Sequence, residues 1–309
     1  MFQGSILAPT LFNIYISDLF KLLVCNNLSY ADDVKIYNSI RHSTPYFHED
    51  MKLLQADIDT IVKWSEKWEL PLNNDKCAFI NFQTSAQSTK SQSSSIPCYF
   101  IDNKIITQVK SQKDLGIIID DQLNFDLHID HIVHNALRAN FSIMKCFHFS
   151  SLDMKIRLYK AFVRPQIEFA SCIWNPISKF KSNNIEKVQR RVTRHFMYPS
   201  KDSYTSRLID CNLLNLSKRR SYIDCCKLYK IINCPSDVIN LQNLGLELSK
   251  SINRTCDIKQ KFVKNEWSRK EFSRRVTVHW NSIPKAIRQI NNYSLFKKRL
   301  LSHIITATN

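Results

Sequence analysis

Glycine is almost missing from these 309 residues: only Gly4, Gly116 and Gly245 occur. A glycine-rich phosphate loop or a dinucleotide fingerprint needs clustered glycines for close backbone approach, so both enzyme classes are excluded. The ten cysteines (25, 77, 98, 146, 172, 211, 225, 226, 234, 256) contain no Cys-x-x-Cys pair and no regular spacing. Zinc ligation therefore has little support; Cys225, Cys226 and Cys234 with His195 can be drawn as a site, but buried free thiols in a reducing compartment account for them better. The apolar run at 6–16 lacks a preceding basic region and a small-residue cleavage site. No stretch approaches the ~20 apolar residues of a membrane helix. The chain reads as intracellular, nuclear or cytoplasmic, neither secreted nor membrane-spanning.

Acid is what the second half has little of. Residues 1–133 hold 11 Lys and Arg against 16 Asp and Glu, net −5, whereas residues 134–309 hold 33 against 11, net +22. Such a half calls for a polyanion. Nucleic acid is the commonest, because each neutralised phosphate releases condensed counterions; a membrane surface is more often met by one amphipathic basic helix, and a scattered solvated surface stays open as the plain alternative. With 44% hydrophobic and 11% aromatic residues the chain is a folded protein, long enough for one large core or two modest ones.

The stretch Leu28-Ser29-Tyr30-Ala31-Asp32-Asp33-Val34-Lys35-Ile36-Tyr37 predicts a strand, a tight turn and a strand. Asp32 and Asp33 fall where the chain reverses, and a hairpin tip can aim neighbouring side chains at one point although a regular strand sends them to opposite faces. Mg²⁺ prefers hard oxygen ligands and is often held by one or two carboxylates plus substrate phosphates. A solvated Asp-Asp turn is the ordinary alternative.

Before that hairpin, Pro9 opens a helical run in which Leu11, Ile14, Tyr15 and Leu19 recur at helical spacing, so a buried helix is expected. A second helix is expected over 49–69, with Met51, Leu54, Ile58, Ile61, Val62 and Trp68 on one face, packed against the Asp-Asp hairpin. Lys52, Asp57, Asp59, Lys63 and Lys67 are placed largely on the other face, and Pro71 stops the helix. A polar turn at 72–76 feeds a strand, 83–95 reads as a solvated loop, and short strands return over 98–119 with a turn at Asp102-Asn103. Beyond Phe125 the pattern is helical and basic: 128–147, 152–164 (ended by Arg164-Pro165), 185–195 and 216–232. On 185–195, Ile185, Val188 and Val192 face inward and Lys187, Arg190, Arg191 and Arg194 outward. No internal repeat is visible. A boundary is placed near 125 and a softer one near 233–238, where Pro235 interrupts.

Taken in order, these blocks resemble the reverse transcriptase of non-LTR (LINE-type, jockey-like) retrotransposons. Gln3-Gly4-Ser5-Ile6-Leu7 with Pro9, Leu11-Phe12 and Tyr15-Ile16-Ser17-Asp18-Leu19 resembles the palm block before the catalytic hairpin, and Tyr30-Ala31-Asp32-Asp33 resembles the hairpin. Trp64-Ser65-Glu66-Lys67-Trp68 with Leu72-Asn73 and Lys76-Cys77, then Asp114-Leu115-Gly116-Ile117 through Phe125, resemble the next two blocks. Tyr159-Lys160-Ala161-Phe162-Val163-Arg164-Pro165 with Glu168 and Trp174-Asn175-Pro176 resembles the thumb, and Ile185-Glu186-Lys187-Val188-Gln189-Arg190-Arg191 and Val278-His279-Trp280-Asn281 fit the tail.

The resemblance implies an α+β fold: part of a polymerase palm at 1–125, an antiparallel sheet with helices, then a helical thumb-like domain at 126–235 and a basic C-terminal segment at 236–309. It implies RNA-directed DNA synthesis by two-metal nucleotidyl transfer, with Asp32 and Asp33 binding catalytic Mg²⁺ and Lys76 offering a proton or a charge to the leaving pyrophosphate. Gln3 and Gly4 would line the pocket for template and incoming deoxynucleotide, and Tyr30 would lie beside the primer terminus. Lys187, Arg190, Arg191 and Arg194 would track the backbone of an RNA template and DNA primer. Phe2 stands where the family commonly has Pro, and Ala8 where it commonly has Gly. It also carries a further palm Asp and a finger domain upstream of the first block, so the expectation is an N-terminally truncated copy with an incomplete catalytic site. Two readings stay open beside polymerase activity: a nonenzymatic nucleic-acid-binding remnant, and a protein that pairs with an intact polymerase of the same element through an uncovered sheet edge.

Overall fold

Residues 5–41, 46–82, 97–175, 178–199, 202–236, 239–249, 257–259 and 271–306 are described by the computed structural model. They form two units, one made of residues 1–112 and 120–123, the other of 113–119 and 124–309. The first mixes short strands with helices and the second is almost wholly helical, an α+β chain.

The first unit begins with α1 (Ala8–Tyr15) and α2 (Leu19–Leu22), with Pro9 in the first turn of α1 where its missing N–H costs nothing. The expected buried helix is not found. α1 buries none of its residues, and Leu11 and Ile14 are 45% and 64% exposed. Burial starts with Ile16 and Leu19, because among the described residues only the end of this segment meets an apolar neighbour, the Trp64–Trp68 turn of α3 (Tyr46–Lys67). There Tyr15 sets its ring edge-on to Trp68 and donates its hydroxyl to the Trp68 carbonyl at 2.9 Å, while the Trp64 indole donates to Asp18 at 3.1 Å.

β1 (Asn26–Tyr30) and β2 (Asp33–Tyr37) form the antiparallel hairpin expected at 28–37, with Tyr30 paired to Asp33 across the turn. As expected, α3 carries its apolar stripe to this hairpin: Leu54, Ile58 and Val62 pack with Ile36, Tyr99 and Ile101. The helix ends at Lys67, ahead of Pro71, with Glu69 left-handed (φ 54) and the Leu70 N–H reaching the Ser65 carbonyl at 2.9 Å. Asp57 departs from its expected outward placement. It is 2% exposed and accepts the backbone N–H groups of Val24 and Cys25.

A 3₁₀ turn (Asn74–Lys76) leads to β3 (Ala78–Phe79), which pairs in parallel with β6 (Thr107–Gln108). β4 (Phe100–Ile101) and β5 (Lys104–Ile105) form a hairpin over Asp102 and Asn103, both at positive φ. Gln55 of α3 grips the β4 backbone by donating to the Phe100 carbonyl and accepting its N–H, each at 2.9 Å. β7 (Ser111–Asp114) and β8 (Ile117–Asp120) complete the strands. The expected antiparallel palm sheet is replaced, among the described residues, by four separate two-stranded pairs, one of them parallel. Strands of two to five residues leave too few ladder bonds for a wide sheet, and α3 supplies the cover that pairs of this size need. The loop expected at 83–95 lies outside the described residues.

In the second unit α4 (Asp126–Cys146) is followed by α5 (Leu152–Leu158), a π turn (Tyr159–Val163) and a 3₁₀ turn (Arg164–Ile167). Pro165 does not end this helical run; it sits in the first turn of the 3₁₀ segment, where a missing N–H is tolerated. Then come α6 (Ser171–Trp174), α7 (Lys179–Phe196), α8 (Tyr204–Asp210), α9 (Leu216–Asn233), α10 (Phe272–Ser282), α11 (Lys285–Arg288) and α12 (Tyr293–Thr306). One core joins α4, the 159–167 turns and α7 through Ile129, Ala136, Tyr159, Val163 and Ile185; a second joins α9, α10 and α12 through Leu228, Val276, Trp280, Phe296 and Leu300.

Several polar residues of the 159–176 and 185–191 blocks are internal ties. Glu168 accepts both Nε and Nη2 of Arg219, at 2.7 and 3.1 Å. Asp224, wholly buried, accepts from Arg275 at 2.9 Å and from Asn175 at 3.3 Å, and Asn175 accepts from buried Arg220 at 2.8 Å. Glu186 receives the Tyr204 hydroxyl and the Leu216 N–H, and Gln189 the Tyr159 hydroxyl.

Candidate active site

The Asp-Asp hairpin is held from below. Asp57 takes the N–H groups of Val24 (3.0 Å) and Cys25 (2.7 Å), fixing the chain one residue before β1 starts. Burial, then the neighbouring Asp57 carboxylate, pushes the Cys25 thiol up to about 11 and keeps it protonated. At the tip Ala31 adopts positive φ (52), a conformation that costs an L residue about 1 kcal/mol, and the turn leaves Asp32 and Asp33 exposed.

Asp33 lines a cleft of about 660 Å³ with Asn74, Asp75, Lys76 and Lys104. Two of the residues singled out in the sequence, Asp33 and Lys76, are thus brought together although 43 positions separate them, Lys76 being presented by the 3₁₀ turn Asn74–Lys76. Asp32 is not among the lining residues. Tyr30 stands opposite Asp33 on β1 and is 66% exposed. Gln3 and Gly4 lie outside the described residues. Asp75 and Lys104 are cleft residues that sequence reasoning missed; Asp75 carried a signal in its place beside Lys76.

Carboxylates and ammonium groups share this cleft, a combination that can hold a hard cation beside a phosphate. The donor chemistry of Asp32 and Asp33, two exposed carboxylates at a hairpin tip, fits Mg²⁺, which takes one or two protein oxygens and fills its shell from water and substrate. Among the described residues no group of three His, Cys, Asp or Glu side chains stands close enough to cage an ion by itself.

In the second unit, α7 presents Lys187, Arg190, Arg191 and Arg194 to solvent and turns Ile185, Val188 and Val192 into the core, as its spacing predicts. Arg190 lies over the Tyr204 ring at 4.9 Å. Burial, and then the charges of Arg191 and Arg194, lower the proton affinity of His195 on the same helix. No helix among the described residues is long and apolar enough to cross a membrane.

Residues 1–119 match the family described as reverse transcriptase (RNA-dependent DNA polymerase). The RNA-directed DNA polymerase from mobile element jockey of Drosophila funebris is 26% identical over 204 residues, covering 62% of this chain and 21% of the fly protein. Its Drosophila melanogaster counterpart is 26% identical over 207 residues, with the same coverage. The chain spans about a fifth of the length of these relatives. No solved structure matches it significantly. Residues 1–119 are thus similar to reverse transcriptases, and the relatives that match are RNA-directed DNA polymerases of mobile elements.

Proposed function

We propose that this chain takes part in RNA-directed DNA synthesis as a segment of a retrotransposon reverse transcriptase. Residues 1–125 correspond in this reading to part of the palm, 126–235 to a thumb-like domain and 236–309 to a basic C-terminal segment. Asp32 and Asp33 hold Mg²⁺, which when bound draws the reacting phosphate and the primer end together. Lys76 faces the leaving pyrophosphate with a proton or a charge, Gln3 and Gly4 line the template and deoxynucleotide pocket, and Tyr30 lies beside the primer terminus. Lys187, Arg190, Arg191 and Arg194 follow the template–primer backbone.

The observation that carries this reading is the meeting of Asp33 and Lys76 in one cleft within the matched region. Binding of the template-matched deoxynucleotide to the chain on a chain-terminated primer and RNA template, with Mg²⁺, tests it. Asp33→Asn and Lys76→Gln are expected to weaken nucleotide binding at least tenfold and leave hybrid binding unchanged. Equal nucleotide affinity in all three proteins refutes it.

A second reading, nucleic-acid binding without catalysis, is favoured by the outward basic face of α7. In that case the carboxylate variants behave as the wild type in every binding assay.

A further inference from the structure

A second basic feature of the helical unit is lined by residues other than those of the α7 face. α9 and α12 enclose a groove of about 390 Å³ to which Arg219, Lys227, Lys230 and Lys297 contribute four cations, and no acidic residue lines it. Arg219 is already paired with Glu168. Lys227, Lys230 and Lys297 are exposed and, among the described residues, form no ion pair. The ammonium groups of Lys230 and Lys297 both gather at Tyr293, 4.8 and 5.3 Å from its ring centre, and so stand within roughly 10 Å of each other. That is close to the screening length at physiological salt, about 8 Å, so their repulsion persists until an anion arrives. The strip between the cations is apolar and aromatic: Tyr222, Ile223 and Tyr293. A strand of nucleic acid offers both parts of the match, phosphates for the lysines and sugars or bases for the rings.

We propose that the α9–α12 groove binds the backbone of a single nucleic-acid strand, as a site separate from α7. This rests on the reading of the chain as one that handles nucleic acid. Lysine acetylation of the full chain, mapped by mass spectrometry with and without an oligothymidylate or oligouridylate, tests it without any variant. Several-fold protection of Lys227, Lys230 and Lys297 is expected. A companion variant, Lys227→Gln with Lys230→Gln and Lys297→Gln, is expected to lower the slope of log affinity against log salt by about 2, since each single-strand phosphate contact contributes about 0.7. Strand binding that protects Lys187 but none of the groove lysines overturns the groove and leaves the nucleic-acid reading standing. Absence of binding to any strand or hybrid overturns both. Protection by phosphatidylserine–phosphatidylcholine vesicles, with none by the oligonucleotides, overturns the groove in favour of a lipid surface.

Discussion

The buried Asp57 carboxylate and the Cys25 backbone N–H meet at 2.7 Å, joining the middle of α3 to the residue just before β1. With the Val24 N–H at 3.0 Å, one side chain satisfies two amides that lie between α2 and β1. Asp57→Asn puts an amide donor where an acceptor is needed and removes the charge. The expected loss is about 2 to 4 kcal/mol, read as a lower urea midpoint at unchanged slope. An unchanged midpoint would show that the hairpin is anchored elsewhere.

The helical unit depends on a second buried acid. Asp224 is fully buried against Arg275, so Arg275→Leu leaves a buried carboxylate without its direct ion-pair partner. A cost of about 3 to 5 kcal/mol is expected. Arg275→Leu combined with Asp224→Leu should recover most of it, and a double variant as unstable as the single one would argue against the pair as the cause.

His128 sets an acid limit. It is 1% exposed, accepts the Ile118 N–H through Nδ1 at 3.3 Å and lies edge-on to Trp174, and burial, with His131 adding, lowers its pKa to about 4. Its unfolded value is about 6.5, so between these limits the unfolded chain takes up the proton first. Stability is therefore complete above pH 6.5 and falls on acidification toward pH 4, by up to about 3 kcal/mol. Unfolding midpoints across that window should slope in the wild type and flatten in His128→Gln; parallel slopes would assign the effect to other groups.

The exposed cations of α7 carry the opposite expectation. Replacing Lys187, Arg191 and Arg194 by Gln should alter stability by no more than about 0.5 kcal/mol, because they are solvated. The same change should weaken hybrid binding and reduce its salt dependence. Arg190, stacked on Tyr204, would add up to about 1 kcal/mol to the stability cost. A large loss of stability with unchanged salt dependence would make this face structural.

The parts of this chain that were legible beforehand are those whose cause is local. The α3 stripe, the hairpin around Asp32 and Asp33, the Asp102-Asn103 turn and the inward Ile185, Val188 and Val192 all follow from periodicity or turn chemistry. Asp57 was misplaced because its partners lie 33 and 32 positions away, and a helical wheel holds no record of an amide that needs an acceptor. The same holds for Asp75 and Lys104, joined to Asp33 only by tertiary placement. At α1 the spacing was right and the environment was not: Leu11 and Ile14 form an apolar face with no cover among the described residues.

Primer extension on a primed RNA template with Mg²⁺ tests the central claim most directly, comparing the wild type with Asp32→Asn, Asp33→Asn. The account predicts equal hybrid binding by both proteins and confines any extension to the wild type. Equal extension by the two proteins, or hybrid binding by neither, would contradict it.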